Sequence, residues 1–80
     1  MRVNVYITLK PGVLDTQGKA ITSALHGLNF TQVASVRQGK LMELDIEASS
    51  ADEATKLASA MCDKLLANTV IEDYRVEIPS

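Results

Sequence analysis

The sequence predicts an α+β domain over residues 1–80 with elements in the order βαββαβ. Three observations carry this: strict apolar/polar alternation near both ends, two segments of helical periodicity each preceded by a capping residue, and a glycine turn ahead of a third alternating stretch.

Residues 2–9 alternate with Val3, Val5, Ile7 and Leu9 on one side and Arg2, Asn4, Tyr6 and Thr8 on the other, the pattern of a half-buried strand. Pro11 and Gly12 then turn the chain. Asp15 is a good N-cap, and Ile21, Ala24, Leu25 and Leu28 recur at helical spacing until Gly27 or Asn29 stops the run, so a first helix is expected over roughly 15–28. Residues 32–37 are short and β-branched. Gln38-Gly39 supplies turn chemistry, and Met42, Leu44, Ile46 and Ala48 then alternate with Glu43, Asp45 and Glu47, which together read as a hairpin.

Ser50 and Glu53 have the spacing of a capping box. Ala54, Leu57, Ala58, Met61 and Leu65 trace one face of a second helix over about 51–67. Asn68-Thr69 breaks the pattern, and Tyr74, Val76 and Ile78 alternate with Asp73, Arg75 and Glu77 before Pro79, giving a last strand.

The expected assembly of this order is ferredoxin-like: two layers, a four-stranded antiparallel sheet with two helices on one face, joined by right-handed split crossovers. The other face stays uncovered and presents Tyr6, Thr8, Glu43, Asp45 and Arg75, with Tyr6 and Arg75 as candidate self-association contacts. The same topology brings the Lys10-Pro11-Gly12 turn, the Gln38-Gly39-Lys40 turn and the connection at 67–69 to one end of the sheet. One rim therefore collects Lys10, Lys40 and Asn68.

At 80 residues an isolated core is seldom worth more than ~3–5 kcal/mol, so self-association is expected. Cys62 is the single cysteine and His26 the single histidine, which excludes an internal disulfide framework and leaves no metal-ligand spacing. The chain opens directly on strand pattern, without a signal peptide, and holds no apolar run near the ~20 residues that span a bilayer, so a cytoplasmic location is expected. The net charge of −2 hides an asymmetry: residues 1–40 hold five Lys/Arg against one acid, and residues 41–80 hold three against nine.

Candidate chemistry is sparse. Cys62 lies beside Met61 on a face otherwise made of Ala and Leu, with no base on its own helix, and reads as a small buried hydrophobe. His26 suits a helix C-terminus. Glu43, Asp45 and Glu47 form a flat row that does not converge on a cation. No catalytic and no metal residue is assigned. Nucleic-acid binding is not expected, because only Tyr6 offers a stacking aromatic and the acidic strand repels phosphate. The corner holding Lys10, Gly12, Gln17, Gly18 and Lys19 stands out: it reads as a protein-contact surface, an ordinary turn, or a phosphate cradle at a helix start, although no GxGxxG or GxxxxGK[ST] is present. Arg37, Gln38, Gly39 and Lys40 read as a solvated turn or a contact tip.

The stretch Val5-Tyr6-Ile7-Thr8-Leu9-Lys10-Pro11-Gly12-Val13-Leu14-Asp15 followed by Gln17-Gly18-Lys19-Ala20 resembles the start of the PurS family. Val36-Arg37-Gln38-Gly39-Lys40 with Glu43-Leu44, and Met61-Cys62-Asp63-Lys64-Leu65-Leu66-Ala67-Asn68 with Val70-Ile71-Glu72-Asp73-Tyr74, resemble the family's hairpin and closing segment. Thr16 and Thr69 depart from it, standing where proline is common. The resemblance implies a PurS-like fold and a non-catalytic small subunit of phosphoribosylformylglycinamidine (FGAM) synthase in purine biosynthesis. In that complex a glutaminase subunit, PurQ, releases ammonia, and a synthetase subunit, PurL, uses ATP and Mg to activate the amide of formylglycinamide ribonucleotide.

PurS-like chains are expected to bind no cofactor themselves, to form a homodimer or tetramer, to join PurL to PurQ and to help retain ammonia between them. The expected partner-contact residues are Lys10, Pro11, Gly12, Gln17, Gly18, Arg37, Gly39, Lys40 and Asn68. Two other readings remain. One is a small-ligand-binding regulatory domain of the same build, with a metabolite near Lys10 and Gly12. The other, an acylphosphatase-like enzyme, needs an arginine-bearing anion loop where this chain has Lys10 and Gly12.

Overall fold

The computed structural model describes residues 1–79. Strand β1 (Arg2–Leu9) is followed by helix α1 (Thr16–Gly27), strand β2 (Gly39–Asp45), helix α2 (Ala51–Met61), a π-helical turn (Cys62–Leu66) and strand β3 (Glu72–Glu77). The sheet is antiparallel with order β2-β1-β3. Val5 lies opposite Met42 on one side and Val76 on the other, which places the apolar residues of all three strands on one face.

That face carries the core. Val3, Val5 and Ile7 of the central strand are buried beneath Ala54 and Ala58 of α2 and Cys62 of the π-helical turn, and Met42, Leu44, Tyr74, Val76 and Ile78 pack around them. Small residues on α2 let the helix sit close to the sheet. Ser50 caps α2 by accepting the Glu53 N–H at 3.1 Å. The Glu53 carboxylate reaches back to the N–H of Ser49, one residue earlier than a capping box predicts, and its hydrogen bonds to Ser49 hold it below the usual carboxylate range.

The expected second helix ends early. Its last turn is π-helical, closed by the Ala67 N–H donating to the Cys62 carbonyl at 3.0 Å. One extra residue per turn shifts the helical register. Leu66 and Ala67 therefore turn toward the core while Leu65, which continues the apolar spacing of α2, stands 82% exposed.

The four-stranded sheet is not formed within the chain: three strands are present among the described residues. Residues 32–37, expected to pair with β2, pair with no strand and instead return alongside α1. The His26 ring nitrogen Nε2 lies 2.7 Å from the Val33 carbonyl oxygen. The expectation of two helices on one face is likewise corrected, because among the described residues only α2 packs extensively on the sheet. Helix α1 ends in a Schellman motif, with Asn29 at φ 73°, the Phe30 N–H on the Leu25 carbonyl at 2.9 Å and the Asn29 N–H on the His26 carbonyl at 3.0 Å. It projects from the sheet as an arm, and the chain measures 49 × 28 × 14 Å.

Candidate functional site

The corner between β1 and α1 is built by four backbone devices. Lys10, Pro11, Gly12 and Val13 form a turn closed by the Val13 N–H on the Lys10 carbonyl at 3.1 Å. Pro11 sets the first central position and Gly12, at φ 89°, the second, which is the type II arrangement. Asp15 then uses both carboxylate oxygens: Oδ1 accepts the Gly18 N–H and Oδ2 the Gln38 N–H, each at 2.8 Å. The Arg37 guanidinium donates to the Leu9 carbonyl. These bonds join the end of β1, the start of α1 and the start of β2 into one unit.

Asp15 also decides what the helix N-terminus can bind. Backbone N–H groups at a helix start favour an anion. Here that place holds the chain's own carboxylate, kept ionised below its usual range by the N–H groups of Gln38 and Gly18 and by the nearby Arg37 charge. A phosphate would meet this negative group.

The rim predicted from topology does assemble, through β3. Lys10 Nζ lies 3.1 Å from Asp73 and Lys40 Nζ 3.5 Å from Glu72. The Asn68 N–H donates to the other Glu72 oxygen at 2.7 Å, and the Asn68 side chain accepts the Val70 N–H at 3.2 Å. The Lys10 N–H donates to the Ile71 carbonyl at 2.8 Å, tying the two connections together. The lysines are thus paired with carboxylates in this chain, so the rim is mixed in charge rather than basic.

Gln17, Gly39 and Lys40 line a shallow cleft of about 250 Å³ with Leu14, Asp15 and Glu72. Gly18 differs from the other expected contact residues. It is buried, and a Cβ there would lie 2.3 Å from the Val36 carbonyl oxygen, so its smallness serves the chain's own packing. Leu14 and Val70 are exposed apolar side chains at this end of the sheet that the sequence reading did not single out. Their placement depends on strand order, which periodicity does not encode.

On the open sheet face Arg75 stacks over the Tyr6 ring, 4.3 Å from its centroid. The Tyr6 hydroxyl donates to Glu77 at 3.3 Å and Arg75 to the same carboxylate at 3.0 Å. Beside them Asn4 carries a buried side-chain oxygen with no hydrogen-bond partner among the described residues. Such an acceptor costs about 1–3 kcal/mol unless a donor is brought to it. Cys62 is buried and its thiol is pushed up, first by burial and then by the Asp63 charge. No group of three or more His, Cys, Asp or Glu side chains converges among the described residues.

A three-stranded sheet with one open face, a projecting helical arm and a bonded corner defines a small non-metal α+β module among the described residues. The chain belongs to the PurS family: the family model described as PurS, phosphoribosylformylglycinamidine (FGAM) synthase, matches residues 2–80. The PurS subunit of phosphoribosylformylglycinamidine synthase from Bacillus subtilis is 54% identical over 77 residues, spanning 96% of this chain and 90% of that protein. The crystal structure of Methanocaldococcus jannaschii PurS, one of the subunits of formylglycinamide ribonucleotide amidotransferase, superimposes with a TM-score of 0.91 at 35% identity, over 99% of this chain and 95% of that one. A chain in the structure of PurLQS from Thermotoga maritima gives a TM-score of 0.87 at 28% identity, over 95% of this chain and 93% of that one.

Proposed function

We propose that this chain is the non-catalytic small subunit of FGAM synthase in purine biosynthesis, acting in the cytoplasm as a single domain that joins a PurL synthetase subunit to a PurQ glutaminase subunit. It binds no cofactor in this reading. ATP and Mg belong to the synthetase, and the small subunit helps keep ammonia from escaping between the two active sites. The similarity over nearly the whole chain to a chain of the Thermotoga maritima PurLQS structure carries the proposal.

The docking surface in this reading is the corner and rim: Lys10, Pro11, Gly12, Gln17, Arg37, Gly39, Lys40 and Asn68, with Gly18 holding α1 close to Val36 beneath them. Rigid backbone favours this role, since a surface already ordered in the free chain loses less entropy on binding. The open face around Tyr6 and Arg75 is the proposed self-association surface. The regulatory-ligand reading is weaker, because the corner cleft presents the Asp15 and Glu72 carboxylates to any metabolite anion.

The test is a paired charge reversal, Lys10→Glu with Lys40→Glu. The Lys10–Asp73 pair is exposed and its loss costs at most about 1 kcal/mol; Glu72 is only 12% exposed, so Lys40→Glu costs more, and retention of the fold is checked by circular dichroism before complex formation is compared. Mixed with cognate PurL and PurQ, glutamine and MgADP, the wild-type chain is expected to enter a larger complex and the variant to enter it only at higher concentration. Full glutamine-dependent activity of the variant at limiting concentration would rule out the rim. No interaction of the wild-type chain with either subunit would rule out the subunit role.

A further inference from the structure

A second cleft, of about 410 Å³, lies along the arm between helix α1 and the segment that returns beside it. Lys19, Thr22, Ser23 and His26 form one wall. They follow the i, i+3, i+4, i+7 spacing of a single helical face, opposite the apolar positions Ile21, Ala24 and Leu28. Ser35 and its neighbours form the other wall.

Both ends of the cleft are fastened. At one end His26 Nε2 lies 2.7 Å from the Val33 carbonyl oxygen, and because a carbonyl only accepts, that nitrogen carries the proton. At the other end the Val36 carbonyl closes on Gly18, where no side chain would fit, and Asp15 bonds the Gln38 N–H just beyond. The cleft is thus formed in the free chain, so a ligand entering it loses little to ordering of the protein.

Its chemistry suits an anion. No acid lines it, and residues 16–42 contain no Asp or Glu, although the chain has ten. Lys10 and Lys40 are neutralised by Asp73 and Glu72, whereas Lys19 belongs to no ion pair among the described residues. The Thr22 hydroxyl donates to the Gly18 carbonyl at 2.9 Å, which leaves the exposed hydroxyls of Ser23 and Ser35 as donors beside the Lys19 ammonium. An ammonium acting as a point charge among neutral donors is a common way to hold phosphate. The volume exceeds that of a bare phosphate and lies within the roughly 300–1,000 Å³ of small-molecule sites. At the corner, by contrast, Asp15 already occupies the helix start. Lys19 therefore serves an anion one turn further along α1.

We propose that this cleft binds the phosphoryl group of a small phosphorylated metabolite, with Lys19 Nζ supplying the charge and the Ser23 and Ser35 hydroxyls the hydrogen bonds. The site lies apart from the docking corner and the open sheet face. It is a binding site only, with no bond made or broken, and it does not depend on the subunit role.

The test follows the amide resonances of the full chain by NMR as inorganic phosphate or adenosine 5′-monophosphate is added, with adenosine as the uncharged comparison. Saturable shifts confined to residues 19–26 and 33–36 are expected from the phosphates and none from adenosine. Lys19→Gln, at an exposed position, is expected to keep the fold and to raise Kd at least about tenfold, a loss of about 1.4 kcal/mol. Lys56→Gln removes the same charge from an exposed position on α2 and is expected to leave Kd unchanged. Three results would each overturn the site: no saturation by either phosphate at about 10 mM, shifts centred on residues 10–15 and 68–72 instead, or equal weakening in the two lysine variants.

Discussion

Asp15 holds the backbone N–H of Gly18 with one carboxylate oxygen and that of Gln38, twenty-three positions later, with the other. A local helix cap and a long-range tie are thus one side chain.

The pH dependence follows from that double role. The N–H groups of Gln38 and Gly18 hold the Asp15 carboxyl below its ordinary range. Its contribution to stability is therefore fully present above the unfolded value of about 3.9 and is lost as pH falls through the lower folded value. In thermal melts between about pH 2 and 6, wild type is expected to exceed Asp15→Asn at the upper end and to converge with it at the lower. A constant difference across the range would show that the carboxylate charge is not what matters.

Gly18→Ala sets two effects against each other. Alanine is favoured in a helix by about 1 kcal/mol, yet its Cβ would meet the Val36 carbonyl oxygen at 2.3 Å and the Asp15 carboxylate at 2.5 Å. Overpacking against backbone costs typically ~1–3 kcal/mol. The expected outcome is net destabilisation and a lower Tm at matched protomer concentration. A higher Tm would mean that the return segment moves freely from α1.

The π-helical turn predicts opposite behaviour from adjacent leucines. Leu65→Ala, at an exposed position, is expected to change stability by less than about 0.5 kcal/mol. Leu66→Ala, which packs on the core, is expected to cost about 1–2 kcal/mol, below the range for a fully buried leucine. Chemical denaturation at one low protomer concentration checks the pair, and the reverse order would mean that the helix continues in α register.

Cys62 is expected to resist alkylation. Burial raises its thiol and blocks access, so iodoacetamide at about pH 8 should label it only as the chain unfolds, with a rate that rises with denaturant. Rapid labelling of the native chain would contradict its place in the core.

Much of this architecture was legible before any coordinates. The alternation in β1, the Asp15 and Ser50 caps, the Pro11-Gly12 turn and the apolar rows of β2 and β3 all stand where local pattern placed them, because each rests on neighbours along the chain. The strand expected at 32–37 failed for a physical reason: β-branched residues favour extended backbone but do not supply a neighbour to bond. Leu65 misled because its spacing fits an α-helix, and only the added residue before Ala67 undoes that fit. At the candidate site, Lys10, Lys40 and Asn68 were foreseen on one rim. Their pairing with Asp73, Glu72 and the turn before β3 was not, since it spans up to 63 positions and depends on β3 lying beside β1.

The outward arm divides the chain into parts of unequal cohesion. Helix α1 has little of its own sheet to lean on, so in the separate chain its amide hydrogens are expected to exchange with solvent well before those of β1.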